Sequence, residues 1–192
     1  MSDTTSRRDL LRNVGLAAVL GGLPAEAAQH VHHMASAEKA AGPYVPKGFN
    51  ADEFKTVQAL AELIVPGAAK GNAAEFIDLL ASANPDLKAA WTGGLSWINR
   101  WMERQHKTSF LAASPTLQTA LLDLIAYRKN LATHGPGVRF FDVARKMTVD
   151  AYYTSAAGIQ EIGYLGNKGQ SEFKVPQECY DHAMKRSPFA NG

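Results

Sequence analysis

His30, His32, His33 and Met34 form the only compact group of soft metal ligands in the sequence. Neutral imidazoles bind zinc, copper and iron, so the group is a candidate metal or haem site of an independent enzyme or metalloprotein. A catalytic metal needs ligands that surrounding packing and hydrogen bonds hold in place. The segment around these residues shows no clear apolar period that would supply such packing. We therefore expect a solvated polar segment, and His30, His32 and His33 are only weak metal candidates.

Other reactive side chains are scattered along the chain. Asp142 and Asp150 lie on one predicted helix whose other side is apolar, and Glu161 follows it. A solvated helix face explains these carboxylates better than acid–base catalysis does. The sequence contains no CxxC, CxxCH or HExxH motif, and no GxGxxG motif follows a strand pattern. We therefore predict that the chain carries no catalytic residue and no cofactor of its own.

Cys179 is the single cysteine of the chain. One thiol cannot form a disulfide within the chain, but an oxidising compartment would permit a bridge to another chain. A buried, unpaired thiol is the alternative. Cys179 is therefore a candidate for an inter-chain disulfide.

The N-terminus has the three-part layout of an export signal. Arg7 and Arg8 are adjacent, residues 14–23 form an apolar run, and Ala25 and Ala27 frame a small-x-small cleavage pattern. An arginine pair before a modest, glycine-rich apolar run is similar to leaders of the twin-arginine route, which carries folded proteins. A membrane anchor is one alternative to an export signal, but the run is too short to span a bilayer, which takes roughly 20 residues. An amphipathic N-terminal helix is the other alternative. We predict a twin-arginine signal over residues 1–27, cleavage after Ala27 and a periplasmic location.

Composition argues against nucleic-acid binding and for a single globular domain. The chain has 192 residues, and its 20 basic and 18 acidic residues give a net charge of +2. Beyond the leader, no cluster of lysine and arginine could neutralise nucleic-acid phosphates. The roughly 165 residues after the leader suffice for one domain with a single core.

Apolar residues recur at helical spacing in five segments, several of which begin with a capping signal. Asn50, with Glu53 three residues later, predicts a capping box. Asn84-Pro85 and Ser114-Pro115 predict capped starts with proline at the first helical position. The predicted helices cover approximately residues 50–65, 72–80, 84–102, 114–133 and 138–153.

No strand pattern is convincing, so the predicted fold class is all-α. We expect a small bundle of about five helices with extended irregular N- and C-terminal arms. The predicted arms cover residues 28–48 and 167–192, and the helical domain between them covers residues 49–166. Long arms suit a subunit that wraps a larger partner, because burying their apolar side chains offsets the entropy lost on ordering.

Residues 148–166 carry the most specific pattern of the chain. Tyr152-Tyr153 ends a predicted helix, and a glycine-rich turn then leads into Glu161-Ile162-Gly163-Tyr164-Leu165-Gly166. This block resembles the C-terminal signature of the gluconate 2-dehydrogenase subunit 3 family, in which a double tyrosine precedes an E-x-G-Y-x-G element. Three other elements resemble that family: Leu63-Ile64-Val65-Pro66-Gly67-Ala68, Glu75-Phe76-Ile77-Asp78 and Phe140-Phe141. The resemblance therefore extends from Phe49 to Gly166.

The resemblance implies a small, non-catalytic accessory subunit of a periplasmic dehydrogenase that oxidises sugars, sugar acids or polyols. In such complexes a large subunit of the glucose-methanol-choline oxidoreductase type carries FAD, and a cytochrome subunit with haem c can pass the electrons on. The resemblance further implies that the small subunit helps the large one mature and brings it through the twin-arginine translocase. The complex is expected to associate with the membrane.

The tyrosine and glycine block suits a partner interface. Tyrosine buries a large area and keeps a hydroxyl for a partner, and glycine lets two backbones approach closely. The predicted interface residues are Tyr152, Tyr153, Gly158, Glu161, Gly163, Tyr164 and Gly166. Two alternatives stay open: the independent enzyme or metalloprotein that uses the histidine cluster, and a stand-alone ligand-binding module.

Overall fold

The structure of the protein is a computed structural model that describes residues 25–164 and 174–187. Eight α-helices and two short 3-10 helices occur in these two ranges, and no strand does. The α-helices are α1 (Ala25–Ala40), α2 (Ala51–Ile64), α3 (Ala73–Ala83), α4 (Pro85–His106), α5 (Pro115–Ala126), α6 (Leu131–Tyr153), α7 (Ala156–Glu161) and α8 (Gln177–Arg186). The 3-10 helices are Ala68–Gly71 and Arg128–Asn130. The predicted all-α fold is confirmed, with more helices than the five expected.

The chain divides into two compact units, of which the first ends at Ile162 and the second begins at Gly163. The first unit contains α1 to α7 and the hydrophobic core. The second contains α8, and none of its described residues is buried. Within residues 25–164 and 174–187, no helix is both long and apolar enough to cross a membrane.

Two helices, α3 and α6, occupy the centre of the first unit. Every residue of α3 from Ala73 to Ala81 is buried, as expected for a helix that is surrounded on all sides. Helix α6 packs against α2, α3, α4, α5 and α7. Its Met147 accepts a hydrogen bond from the fully buried Trp91 of α4, with 3.1 Å between Nε1 and Sδ. The C-terminal end of α6 is therefore positioned by most of the core.

Local capping signals are confirmed at three helix starts. Asn50 Oδ1 accepts from the amide of Glu53 at 2.9 Å, and the Glu53 carboxylate accepts from the Asn50 amide at 3.0 Å, which completes the capping box. Asn84 and Ser114 cap α4 and α5 in the predicted way. At α3 the bounds agree, but Asn72 makes no capping bond and instead adopts a left-handed conformation with φ +53°.

Helix α1 corrects the prediction of an extended arm over residues 28–48. It packs against α3, and Ala28, Val31 and Ala35 are fully buried at spacings of three and four residues. Small alanine side chains let the two helices approach closely, and alanine also has the highest helix propensity. The segment after α1, residues 41–48, has no helix and connects to α2.

Helix α6 corrects the predicted break at His134-Gly135-Pro136-Gly137. The helix runs through this sequence, and a kink at His134 with φ −126° and ψ 30° divides it into two parts. Pro136 then lies in the first turn after the kink, where a missing N–H removes no helical hydrogen bond. A β-carbon on Gly137 would lie 2.4 Å from the Trp97 ring, so this glycine permits the packing of α4 on α6.

Helix α8 likewise corrects the prediction of an irregular tail over residues 167–192. Glu178 lies in its first turn, and Lys185 and Arg186 lie in its last turn. These charges are favourable at the respective ends of a helix dipole. Cys179 lies on α8 and is exposed and free, so its predicted inter-chain disulfide stays a prediction.

Candidate functional site

Tyr152 occupies the buried end of α6. Its ring packs against the 3-10 helix Ala68–Gly71, where a β-carbon on Gly71 would lie 2.9 Å from Tyr152 Cδ2. The Tyr152 hydroxyl donates a hydrogen bond to Glu161 Oε2 at the end of α7, and this bond raises the pKa of Tyr152 to about 12. Because only 3% of Tyr152 is exposed, it supports the surface from beneath. This placement differs from the partner-facing side chain that we expected.

A tight turn joins α6 to α7. Ser155 Oγ donates to the carbonyl oxygen of Tyr152 at 2.6 Å and accepts from the amide of Gly158 at 3.2 Å, which caps α7. A β-carbon on Gly158 would lie 2.2 Å from that same carbonyl oxygen. Glycine is therefore required at position 158, because any side chain would push α7 away from the end of α6.

Part of the predicted block lies on the surface. The Tyr153 ring is half-buried and meets the Tyr152 ring edge to face, with 5.1 Å between the ring centroids. Val149, one helical turn before Tyr153, is 38% exposed, and Ile162 after α7 is 57% exposed. We define the α6–α7 surface by its partly or fully exposed residues: Val149, Tyr153, Gln160, Glu161 and Ile162.

An open groove lies beside this surface, between α7 and the connection from α2 to α3. The residues that line it are Pro66, Lys70, Tyr152, Ala157, Gln160 and Glu161. The Glu62 carboxylate shapes the opposite wall, since it accepts from the amides of Gly67 at 2.7 Å and Ala69 at 3.2 Å. The groove thus combines apolar floor residues with charged and amide side chains, which suits contact with another polypeptide.

The other predicted interface residues belong to the second unit or lie outside the described residues. Gly163 has φ +65°, a left-handed conformation that favours glycine, and Tyr164 is 57% exposed. Gly166, like Arg7 and Arg8 of the predicted leader, lies outside the described residues. In the first unit, therefore, the structure brings together Tyr152, Tyr153, Gly158 and Glu161.

The histidines of α1 have three different environments. His32 Nε2 lies 2.9 Å from Thr154 Oγ1, its ring centroid is 4.6 Å from that of Phe76, and burial lowers the pKa of His32 to about 4. His33 is exposed, whereas His30 is half-buried and its Nε2 has no hydrogen-bond partner. In the described ranges no group of three or more His, Cys, Asp or Glu side chains could hold a metal ion. The expectation of a solvated segment is wrong for His32.

The contact between His32 and Thr154 fixes the histidine tautomer. The Thr154 hydroxyl donates its one proton to the carbonyl oxygen of Asp150 at 2.6 Å. Thr154 Oγ1 can therefore only accept from His32, so the ring carries its proton on Nε2. As a result, α1 is tied to the residue that directly follows the tyrosine pair.

The carboxylates considered for acid–base chemistry do not form a pair. Asp142 lies 3.9 Å from Arg128 and 4.0 Å from Arg145, while Glu161 is bonded to Tyr152. Burial raises the pKa of Asp150, and Lys146 partly opposes that shift. Asp142 is therefore close to two arginines, and Glu161 has a hydroxyl partner in the same unit.

Thr154 and Ser155 are site residues that the sequence reasoning missed. The signal for Ser155 was present, because serine three residues before Gly158 matches a helix N-cap. No local signal marked Thr154, whose partner His32 is 122 positions away in the sequence. Contacts at that separation depend on the tertiary fold.

The comparisons with known proteins agree with the resemblance found in the sequence. The model of the gluconate 2-dehydrogenase subunit 3 family matches residues 51–169, which is more than half of the chain. No curated protein and no solved structure matches the chain. The match includes the tyrosine pair, the turn at Gly158 and the groove beside α7. The chain belongs to the gluconate 2-dehydrogenase subunit 3 family.

Proposed function

We propose that this chain is a non-catalytic accessory subunit of a periplasmic FAD-dependent sugar, sugar-acid or polyol dehydrogenase. It binds the large flavoprotein subunit, assists its maturation and carries it through the twin-arginine translocase. Membership of a family named as the third subunit of a dehydrogenase is the observation that carries this proposal. FAD belongs to the large subunit and haem c to a cytochrome subunit, so the partner determines the substrate.

The α6–α7 surface supports the docking step of this proposal. Exposed Ile162 and half-buried Tyr153 supply apolar area, while Gln160 and Glu161 supply hydrogen-bonding groups beside it. Interfaces combine an apolar centre with a polar rim in this way, and tyrosine is enriched at their energetic centres. The buried Tyr152 and the Gly158 turn keep the surface rigid, which lowers the entropy lost on binding.

The arrangement of polar side chains also favours an accessory role. In the part of the chain that the structure describes, His32 is buried against Thr154, and the exposed Cys179 lies in the second unit. Ser155, which follows Thr154, uses its hydroxyl to cap α7 and to bind the carbonyl oxygen of Tyr152. The proposed activity is therefore binding and transport of a partner.

The export step is tested by changing Arg7 and Arg8 to lysine in cells that make the complete dehydrogenase. We expect the activity of the large subunit to accumulate in the cytoplasm, because the translocase recognises the arginine pair. Periplasmic and cytoplasmic activity are measured after cell fractionation. Unchanged periplasmic activity of the double variant would show that the large subunit does not depend on this leader.

The docking step is tested by placing a bulky side chain at the groove. Gln160→Trp is expected to weaken binding of the large flavoprotein subunit by about tenfold or more, because an indole would displace the partner from a fitted surface. Gln105→Trp, at an exposed position on α4, is the matched control and should bind normally. The affinity of each variant is measured by titrating the variant with the separately purified large subunit. Equal affinities of the two variants would place the interface elsewhere.

A further inference from the structure

We infer that the folded domain protects its own leader cleavage site, so that the exported chain keeps residues 1–27. This inference rests on the proposed export function, because it concerns what happens to the leader after transport. It changes the expected fate of the leader from removal to retention.

The predicted scissile bond joins two buried residues. Ala27 is 8% exposed and Ala28 is fully buried, and both lie within α1, which begins at Ala25. A peptidase binds its substrate as an extended segment whose backbone is open on both sides of the bond, and nicking sites are accordingly exposed and locally mobile. Neither condition is met where Ala28 packs in the core cluster.

Contacts along the whole of α1 keep this bond in place. Val31 and Ala35 are fully buried, and His32 is hydrogen-bonded to Thr154 at 2.9 Å. Near the C-terminal end of the helix, Lys39 Nζ lies 2.9 Å from Asn72 Oδ1 and 3.2 Å from Glu75 Oε1. Opening the cleavage site therefore requires several contacts of α1 to break together.

The order of folding and transport makes this protection effective. Cleavage of a folded protein is limited by the fraction of molecules in which the site is open. A leader on an unfolded passenger is cut before the domain forms, whereas a twin-arginine passenger folds before it crosses. The peptidase on the far side thus meets α1 already packed against α3. A retained leader leaves the apolar run 14–23 on the exported chain.

The direct test exposes the purified full-length chain to purified signal peptidase in detergent micelles. Intact mass reports the fraction cut between residues 27 and 28. We expect the wild-type chain to stay full length and Val31→Asp to be cut at least tenfold faster, because a buried carboxylate would detach α1. His33→Asp places the same charge at an exposed position of α1 and should stay full length. Ala35→Gly, which loosens the helix without a buried charge, should also be cut faster.

Two results of this test would overturn the inference. One is a wild-type chain that is cut as fast as Val31→Asp. The other is a Val31→Asp or Ala35→Gly chain that stays full length although circular dichroism shows that α1 has been lost. Both results are independent of export, because the peptidase is added to purified protein.

The cellular arm separates this inference from the proposed function. Loss of the chain when protease is added to spheroplasts shows that it has been exported, and the intact mass of the chain is measured in a parallel sample without protease. Full-length exported chains support retention, and exported chains that begin anywhere between Ala28 and Gly42 overturn it while leaving the export function in place. If no chain reaches the periplasmic face, the export function fails, and the purified system still decides the cleavage question.

Discussion

Replacing the buried Asp78 of α3 should detach the connection between α1 and α2. Asp78 is fully buried, and its two carboxylate oxygens accept four hydrogen bonds. Oδ1 accepts from the amides of Gly48 and Phe49, both at 2.9 Å, and Oδ2 accepts from the Lys47 amide and the Tyr44 hydroxyl, both at 2.7 Å. This one carboxylate therefore satisfies three successive backbone donors in a segment without a helix or strand.

The Asp78→Asn substitution keeps the shape of the side chain and removes one acceptor. Its carbonyl oxygen can still serve Gly48 and Phe49, but its amide group would point a donor at the Lys47 N–H. Losing a charge-assisted bond and leaving one donor unpaired costs about 2 kcal/mol of unfolding free energy. For a chain of this size that corresponds to a fall in Tm of about 4–8 °C.

Urea unfolding followed by circular dichroism measures this loss. Asp123→Asn, at an exposed position on α5, is the matched control and should change the unfolding free energy by less than about 0.5 kcal/mol. A double-mutant cycle with Tyr44→Phe should give a coupling energy of about 1 kcal/mol, because the two side chains share a bond. If Asp78→Asn unfolds within about 0.5 kcal/mol of the wild type, the carboxylate does not hold this connection.

Two further predictions concern the turn after α6 and the histidine of α1. Gly158→Ala should cost about 2–3 kcal/mol in urea unfolding, because its β-carbon would meet the Tyr152 carbonyl oxygen at 2.2 Å. Gly93→Ala, in open space on α4, should instead stabilise by about 0.5–1 kcal/mol, and equal midpoints for the two variants would contradict the reasoning. Below about pH 6.5 the unfolded chain protonates His32, whereas the folded chain does so only near pH 4. As the pH falls from about 6.5 to about 4, the unfolding free energy should therefore decrease by about 1 kcal/mol after allowance for solvent screening. His32→Gln should abolish this contribution to the pH dependence of the unfolding free energy.

Local signals predicted much of the helix layout correctly. Asn50 with Glu53, and the cap-proline pairs before α4 and α5, act over three or four residues and do not depend on the rest of the fold. Asn72 shows that such a capping signal can be overridden by the conformation of the preceding chain. The same residue type with Glu75 three positions later forms no cap, because the chain enters α3 from a 3-10 helix in a left-handed conformation. There the amide side chain binds Lys39 of α1 instead.

The errors at α1 and α6 have a common origin in tertiary packing. Alanine side chains give a weak apolar period, so the buried face of α1 is recognisable only beside α3. Gly135 and Gly137 look like helix breakers in the sequence, yet both are buried, and Gly137 makes room for Trp97. A residue that disfavours a helix by itself is tolerated when close packing between helices compensates for its lower propensity.

The residues of the predicted interface block that lie in the first unit are close together in the structure, but they have different roles there. Aromatic side chains are favoured both in cores and at interfaces, so the sequence could not decide between these roles for Tyr152 and Tyr153. The structure places Tyr152 in the core and leaves Tyr153 half-buried. Glu161, on the surface, accepts the bond that orients the buried Tyr152 hydroxyl.

The C-terminal end of α6 connects three parts of the first unit that the proposed function uses. Tyr152 binds Glu161 of α7 and packs against Gly71, while Thr154 binds His32 of α1. A partner bound to the α6–α7 surface would therefore also restrict the helix that follows the leader. Once the partner has restricted this surface, less entropy is lost in keeping the neighbouring contacts of α1 formed. The bound partner should therefore further reduce opening of α1. Cleavage of the Ala35→Gly chain by signal peptidase should accordingly slow when the large subunit is bound, and an unchanged rate would show that the two surfaces are independent.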